Sequence, residues 1–247
     1  MGEYDNPRDD PDSSRARREQ EDPYVQHLVV LRDPPRPLAV MLAAAVQAVC
    51  RAQRFADDAR YRDDYIAWSE RSFRKVTLRA KASEWQRLSA LDAAFGEVDG
   101  VAVVAALPPV RRSMRPALLE KLQAWTSPLE SLPQAPPQPA GAAALTMDFV
   151  INGAVSMRAG KLAAQVAHAA LLCCEGWSQR APAPFAAWAE AGHPSRFFVA
   201  PPEAWAALKR SVPCAVIRDA GLTEVEPGSE TVMALVPGHS PGALAPL

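Results

Sequence analysis

Two tryptophans and a leucine that recur at one spacing constrain this fold more than any other feature of the chain. Shifting the first half by 120 positions lays Tyr65-Ile-Ala-Trp68 on Phe185-Ala-Ala-Trp188, and Glu84-Trp85-Gln-Arg-Leu88 on Ala204-Trp205-Ala-Ala-Leu208. The same shift lays Leu42–Val46 over Leu162–Val166. Alanine-rich helices coincide easily, so the tryptophan pair carries the comparison, and it predicts two copies of one fold. Between them, Pro128, Pro133, Pro136, Pro137 and Pro139 fall within Ser127 to Ala144 and favour an extended linker. Residues 1–22 hold too little apolar surface to offset the entropy of ordering and read as a disordered tail. The expected division is therefore tail 1–22, first domain 23–126, linker 127–144 and second domain 145–247.

Hydrophobic residues make up 49% of the 247, ample for sizeable cores. The formal charge of -1 offers no global basic field, so any contact with nucleic acid must come from a local patch. Cys50, Cys173, Cys174 and Cys214 show neither metal-ligand spacing nor disulfide density, and predict buried reduced thiols. No apolar run reads as approaching the roughly 18 residues of a membrane span, and the polar N-terminus lacks a signal-peptide core. A cytosolic location with no membrane partner follows as an expectation.

In the second half, strands are predicted at Met147 to Asn152, Arg196 to Ala200, Cys214 to Arg218 and Thr231 to Val236. Helices are predicted at Arg158 to Cys174 and Glu203 to Lys209. The first half reads as strands at Val25 to Leu31, Arg74 to Ala80 and Val101 to Leu107, with a closing helix at Arg112 to Trp125 that has no evident match in the second half. The fold class is α/β: two tandem three-layer α/β/α domains, each a small mixed sheet of about four strands flanked by helices.

Chemistry concentrates at Met157-Arg158-Ala-Gly160-Lys161-Leu-Ala-Ala-Gln165-Val-Ala-His168-Ala169, a Gly-Lys turn entering an alanine-rich helix. At roughly 100° per residue, Lys161, Gln165, His168 and Leu172 share one face. The opposite flank is small and apolar and suits close packing on a sheet. Free N–H groups at the helix start beside Gly160 and Lys161 would suit a phosphate or a developing oxyanion. Each residue also fits a plainer role. Lys161 can be a solvated lysine, Asp219 and Thr223 can shape a turn, and His168 can be a packing residue. His193 and His239 lie in Gly/Pro loops and read as surface residues.

The run Gly160-Lys161-x-Ala-Ala-Gln165-x-x-His168-Ala169 resembles the signature of type II peptidyl-tRNA hydrolases. A second block, Ile217-Arg218-Asp219-Ala220-Gly221-x-Thr223 followed by Pro227-Gly228-Ser229-x-Thr231-Val232, resembles the same family in order and separation. The resemblance implies hydrolysis of the peptidyl-tRNA ester, a carboxylic ester hydrolase with no cofactor and no metal. It implies that Lys161, Asp219, Thr223 and His168 are catalytic. Asp219 would orient or deprotonate a water, directly or through Thr223, and Lys161 would meet the oxyanion or the terminal phosphate. Gly160, Gln165, Arg158, Arg218, Gly221 and Ser229 would bind substrate.

The chain departs from that pattern after its first strand, where Asn152-Gly153-Ala154-Val155 puts Ala154 in place of a carboxylate. In the first half the 120 shift places Met41, Ala45 and Ala48 opposite Lys161, Gln165 and His168, and Asp99 opposite Asp219. That half reads as a degenerate, inactive copy. Since the family is typically dimeric, a fused copy would act as an internal partner, a pseudo-dimer within the chain. Its arginines, Arg71, Arg74, Arg79, Arg111, Arg112 and Arg115, alternatively offer a surface for tRNA phosphates. The competing functional class is a non-catalytic protein that keeps the fold to bind tRNA or a protein.

Overall fold

A computed structural model describes residues 20–133, 145–211, 214–239 and 241–247. The first half runs β1 (Tyr24–Leu31), α1 (Leu38–Ala52), α2 (Arg62–Ala67), β2 (Arg74–Ala80), α3 (Ala82–Leu88), β3 (Ala94–Val98), β4 (Val101–Ala106), β5 (Val110–Arg111), α4 (Ala117–Glu120) and β6 (Gln123–Ala124). The second runs β7 (Met147–Asn152), α5 (Ala159–Arg180), α6 (Pro182–Glu190), β8 (Ser195–Ala200), α7 (Pro202–Ser211), β9 (Cys214–Arg218), β10 (Glu230–Leu235) and β11 (Ala245–Pro246).

The first sheet is ordered β3-β4-β1-β2-β6, with β5 also on β1, and the second is β9-β10-β7-β8-β11. Both are mixed. β1–β2 and β7–β8 are parallel, and every other pairing is antiparallel. The register repeats as well. Leu28 faces Thr77 and Ala106, while Phe149 faces Phe197 and Ala234. The Trp125 N–H reaches the Thr77 carbonyl at 3.0 Å, as that of Leu247 reaches Phe197 at 2.9 Å.

The recurring tryptophans have a shared physical task. Trp68 and Trp188 are both fully buried, and each indole N–H donates to the carbonyl six residues on, Arg74 at 2.8 Å and Pro194 at 3.0 Å. That bond ties a helical turn to the start of the second strand, and the residue before the carbonyl's own takes positive φ in both halves, Phe73 at 45° and His193 at 61°. His193 is therefore no surface residue. It is 8% exposed and packs edge-on to Trp188 at 4.7 Å.

At Trp68 and along the second strands, where Thr77 matches Phe197, the offset is 120, but β1 and α1 sit one residue further along, and the later strands shift again, with Ala106 matching Ala234. The ten buried positions of α1 all land on buried positions of α5 at an offset of 121. The residues opposite Lys161, Gln165 and His168 are consequently Val40, Ala44 and Gln47 rather than Met41, Ala45 and Ala48. Strand pairing likewise puts Val98, not Asp99, opposite Asp219. The alanine-rich helix tolerates either alignment in sequence; burial separates them.

The predicted closing helix from Arg112 to Trp125 is absent. Proline at 116 cannot continue a helix, and the segment divides into a 3₁₀ turn, Arg112–Met114, the single turn of α4, and β6 on the edge of β2. Its counterpart is β11, so the two halves close in the same way. The strands β3 and β11 and the helix α6 are further elements beyond the sequence expectation, and α5 continues six residues past Cys174.

α1 and α5 pack on each other between the two sheets, and each also touches the second strand of the opposite half. One core of residues from both halves fills this layer, while separate clusters around Leu88 and around Trp205 cover the outer sheet faces. The segment Leu38–Ala56 is long and apolar enough to cross a membrane by composition, contrary to the sequence expectation, yet 67% of its apolar 18-residue stretch is buried inside this fold. The start of the Pro-rich segment is not a free linker either, because Leu129 and Leu132 pack against the shared core. Its remainder, 134–144, and the tail up to residue 19 lie outside the described residues.

Candidate functional site

Lys161 stands in the first turn of α5, and Asp219 directly follows β9. The Lys161 ammonium lies 2.5 Å from Asp219 Oδ2 and also donates to Thr223 Oγ1 at 3.0 Å. Asp219 is 6% exposed. Its Oδ2 further accepts the Gln165 amide at 2.8 Å, and its Oδ1 accepts the Gly221 N–H at 2.8 Å. The carboxylate is thus held by three donors from two elements, as a buried charge requires. Asp219 and Thr223 take two of the three N–H bonds of the Lys161 ammonium, whose side chain is 13% exposed. Thr223 is exposed, and because its oxygen accepts from Lys161 its own hydroxyl proton remains available.

The turn that presents Thr223 is pinned at both ends. The Asp219 N–H donates to the Ser229 carbonyl at 2.9 Å, and the Gly228 N–H to the Asp219 carbonyl at 2.7 Å. Gly221 has φ +72°, and a Cβ there would meet Pro227 Cγ at 2.3 Å, so only glycine fits. Behind the carboxylate, Thr231 on β10 is fully buried and donates to Gln165 Oε1 at 2.7 Å. Thr231 belongs to the second sequence block but was not among the expected site residues; a buried hydroxyl two positions into a strand was the available signal.

Other expected residues fall elsewhere. His168, on the same helix stripe, turns to the first half: its Nδ1 is 3.1 Å from the Lys75 amine and its ring lies 4.6 Å from that of Phe73. Burial, and then Lys75, hold its pKa well below the usual histidine value. Arg218 is exposed and reaches Glu230, which also binds Lys209. The Arg158 side chain is exposed, while its N–H donates to Glu224 at 2.9 Å.

Two of the N–H groups that the sequence suggested were free at the helix start are taken up by the first half. Ala159 donates to the Ser127 carbonyl at 3.0 Å and Gly160 to that of Trp125 at 2.9 Å. Gly160 serves this approach, since a Cβ would meet the Trp125 oxygen at 2.3 Å. The first half therefore caps the helix that carries Lys161.

Ala154 is exposed in the turn after β7, where its N–H donates to Asn152 Oδ1 at 3.1 Å. Of the arginines in the first half, Arg115 pairs with Glu120, Arg111 covers the Tyr24 ring, and Arg79 bonds Gln123 at 2.8 Å. Among the described residues no three His, Cys, Asp or Glu side chains come together as metal ligands. A cavity of about 130 Å³ lies in the first half, between His27, Tyr61, Leu107 and Leu119, apart from the Lys161 cluster.

The family profile described as Peptidyl-tRNA hydrolase PTH2 matches residues 145–242. Peptidyl-tRNA hydrolase 2, mitochondrial, of Mus musculus is 34% identical over 98 residues, which cover 37% of this chain and 54% of that protein. Peptidyl-tRNA hydrolase of Thermococcus onnurineus is 36% identical over 95 residues, covering 36% of this chain and 80% of that protein. That of Staphylothermus marinus is 34% identical over 98 residues, covering 37% and 81%. The chain thus spans about half the length of the mitochondrial relatives and most of the length of the archaeal ones.

Proposed function

Because this chain belongs to the Peptidyl-tRNA hydrolase PTH2 family, we propose that its second half hydrolyses the ester between a peptide, or a related acylated amino acid, and tRNA. The observation that carries this reading is the Lys161 ammonium held at once by buried Asp219 and exposed Thr223. The reacting carbonyl is placed at Thr223 and Lys161, so that the ammonium meets the oxyanion as the water adds. Thr223 orients that water, and Asp219 keeps the lysine aimed through the short ion pair. Asp219 is a positioning group first; its 6% exposure leaves the water to the residues above it.

The first half is a degenerate copy of the same domain in this proposal, and the two copies form a pseudo-dimer. Support comes from their shared strand order and register, the paired tryptophans, and the reciprocal contact of α1 and α5 with the opposite sheets. Val40, Ala44 and Val98 occupy the positions of Lys161, Gln165 and Asp219, and none can carry the chemistry.

Release of N-acylated amino acid from purified N-acyl-aminoacyl-tRNA tests the catalytic reading. Wild type is expected to turn over, with Asp219→Asn and Lys161→Ala slower by at least about 100-fold, the loss of one charge-assisted contact in a water-poor site. An inactive wild type, or equal rates in all three, overturns it in favour of a binding role.

A further inference from the structure

The Sγ atoms of Cys50 and Cys174 stand 3.8 Å apart, one on α1 of the first half and the other on α5 of the second. From this juxtaposition we propose that the two thiols form a reversible thiol–disulfide site, and that its oxidation joins the halves covalently across the α1–α5 layer. The inference stands apart from the hydrolase reading, because it needs only the packing of the two helices.

An S–S bond of about 2.05 Å asks the two sulfurs to approach by less than ~2 Å, within reach of side-chain rotation and a small helix adjustment. The two residues differ in access. Cys174 is 1% exposed and Cys50 is half-buried, so Cys50 is the sulfur that a molecule from solvent meets. The bond to Cys50, followed by burial, pushes the Cys174 thiol well above the ordinary value. Cys174 is thus unreactive by itself and suited to act second. Cys173, next in sequence, is also buried, but it faces one helical position away, and the short sulfur–sulfur contact is to Cys174.

The oxidant is a low-molecular-weight disulfide such as glutathione disulfide. The Cys50 thiolate attacks one sulfur of glutathione disulfide, its S–S bond breaks, and one glutathione thiolate leaves. That thiolate takes up the proton lost by Cys174, whose sulfur then displaces the second glutathione from Cys50. The second glutathione leaves as a thiolate and takes up the proton first lost by Cys50, so the protein loses two protons and two electrons and one glutathione disulfide becomes two glutathione thiols. Closing a loop that joins positions so distant in sequence restricts the unfolded chain strongly. The crosslink sits on the helix that also carries Lys161 and Gln165.

The full chain is equilibrated with glutathione disulfide, alkylated, and digested without reductant for mass spectrometry. The expected product is one crosslinked peptide pair containing Cys50 and Cys174, with a melting temperature raised by several degrees and restored by dithiothreitol. Cys50→Ser should show neither the crosslink nor the shift while melting like the reduced wild type, and Cys174→Ser should trap glutathione on Cys50. Only a Cys50–glutathione adduct in the wild type, a bridge to Cys173, or a crosslink without a shift in melting temperature would overturn the proposal.

Discussion

Thr231 donates its hydroxyl to Gln165 Oε1 at 2.7 Å and thereby fixes which end of the amide faces Asp219, whose Oδ2 accepts Gln165 Nε2 at 2.8 Å. Two neutral side chains thus hold the carboxylate that holds the lysine. Thr231→Val keeps the shape and removes the hydroxyl, leaving a buried amide oxygen without its partner and the amide free to turn. Leaving a buried acceptor unsatisfied costs about 1–3 kcal/mol, or roughly 5- to 150-fold. Turnover of N-acyl-aminoacyl-tRNA should fall by that factor, with the Michaelis constant little changed. A rate equal to wild type would show that Gln165 is oriented without Thr231.

The legible part of the site was its linear part. β7 matches its predicted bounds because an apolar run between polar residues has one reading, and Lys161 and Gln165 share a face because the helical period puts them there. The Lys161–Asp219–Thr223 contact follows from the family resemblance, since nothing in periodicity brings residues 161 and 219 together. What the sequence hides is decided by tertiary contact. The predicted helix stops at Cys174, but Trp177 packs on Phe185 and Trp188 at 5.5 Å each and α5 runs on to Arg180. His193 has the neighbours of a loop residue and the environment of a core one. The capping of Ala159 and Gly160 by Ser127 and Trp125 is a contact between halves that no local pattern encodes.

Three histidines are held as neutral bases, His27 and His193 buried and His168 half-buried beside Lys75. Burial holds His27 and His193 at about 4, and His168 lies well below its usual value through burial and the Lys75 amine. Each folded-state value is below the unfolded value of 6.5, so between these limits the unfolded chain binds more protons. Their contribution is complete above about pH 6.5 and is lost as pH falls toward 4. Lys75, also held well below 10.5 by burial, acts in the same direction at higher pH, where raising pH relieves its cost. Each histidine removes up to about 1.4 kcal/mol per pH unit, and 1 kcal/mol is roughly 2–4 °C for a chain of this size. Melting curves should therefore drop by about 10 °C between pH 6.5 and 5. A flat profile over that range would mean that these rings are protonated in the fold.

The pseudo-dimer leads to a prediction for the second half in isolation. Residues 141–247 expressed alone would expose the side of α5 that now meets the first half, with Cys174 against α1 and the His168 ring against Lys75 and Phe73, and would lose the carbonyls of Trp125 and Ser127 that cap Gly160 and Ala159. An apolar helix face of this kind does not remain in water without a partner. The fragment should either pair with a second copy of itself, reproducing the α1–α5 contact as α5–α5, or melt at a lower temperature than the full chain. Light scattering with size-exclusion chromatography separates these outcomes, and turnover on N-acyl-aminoacyl-tRNA measures what the missing half does for Lys161. A fragment that stays monomeric, melts like the full chain and hydrolyses at the full rate would leave the first half without the internal-partner role, because none of its contacts to α5 would then matter to the site.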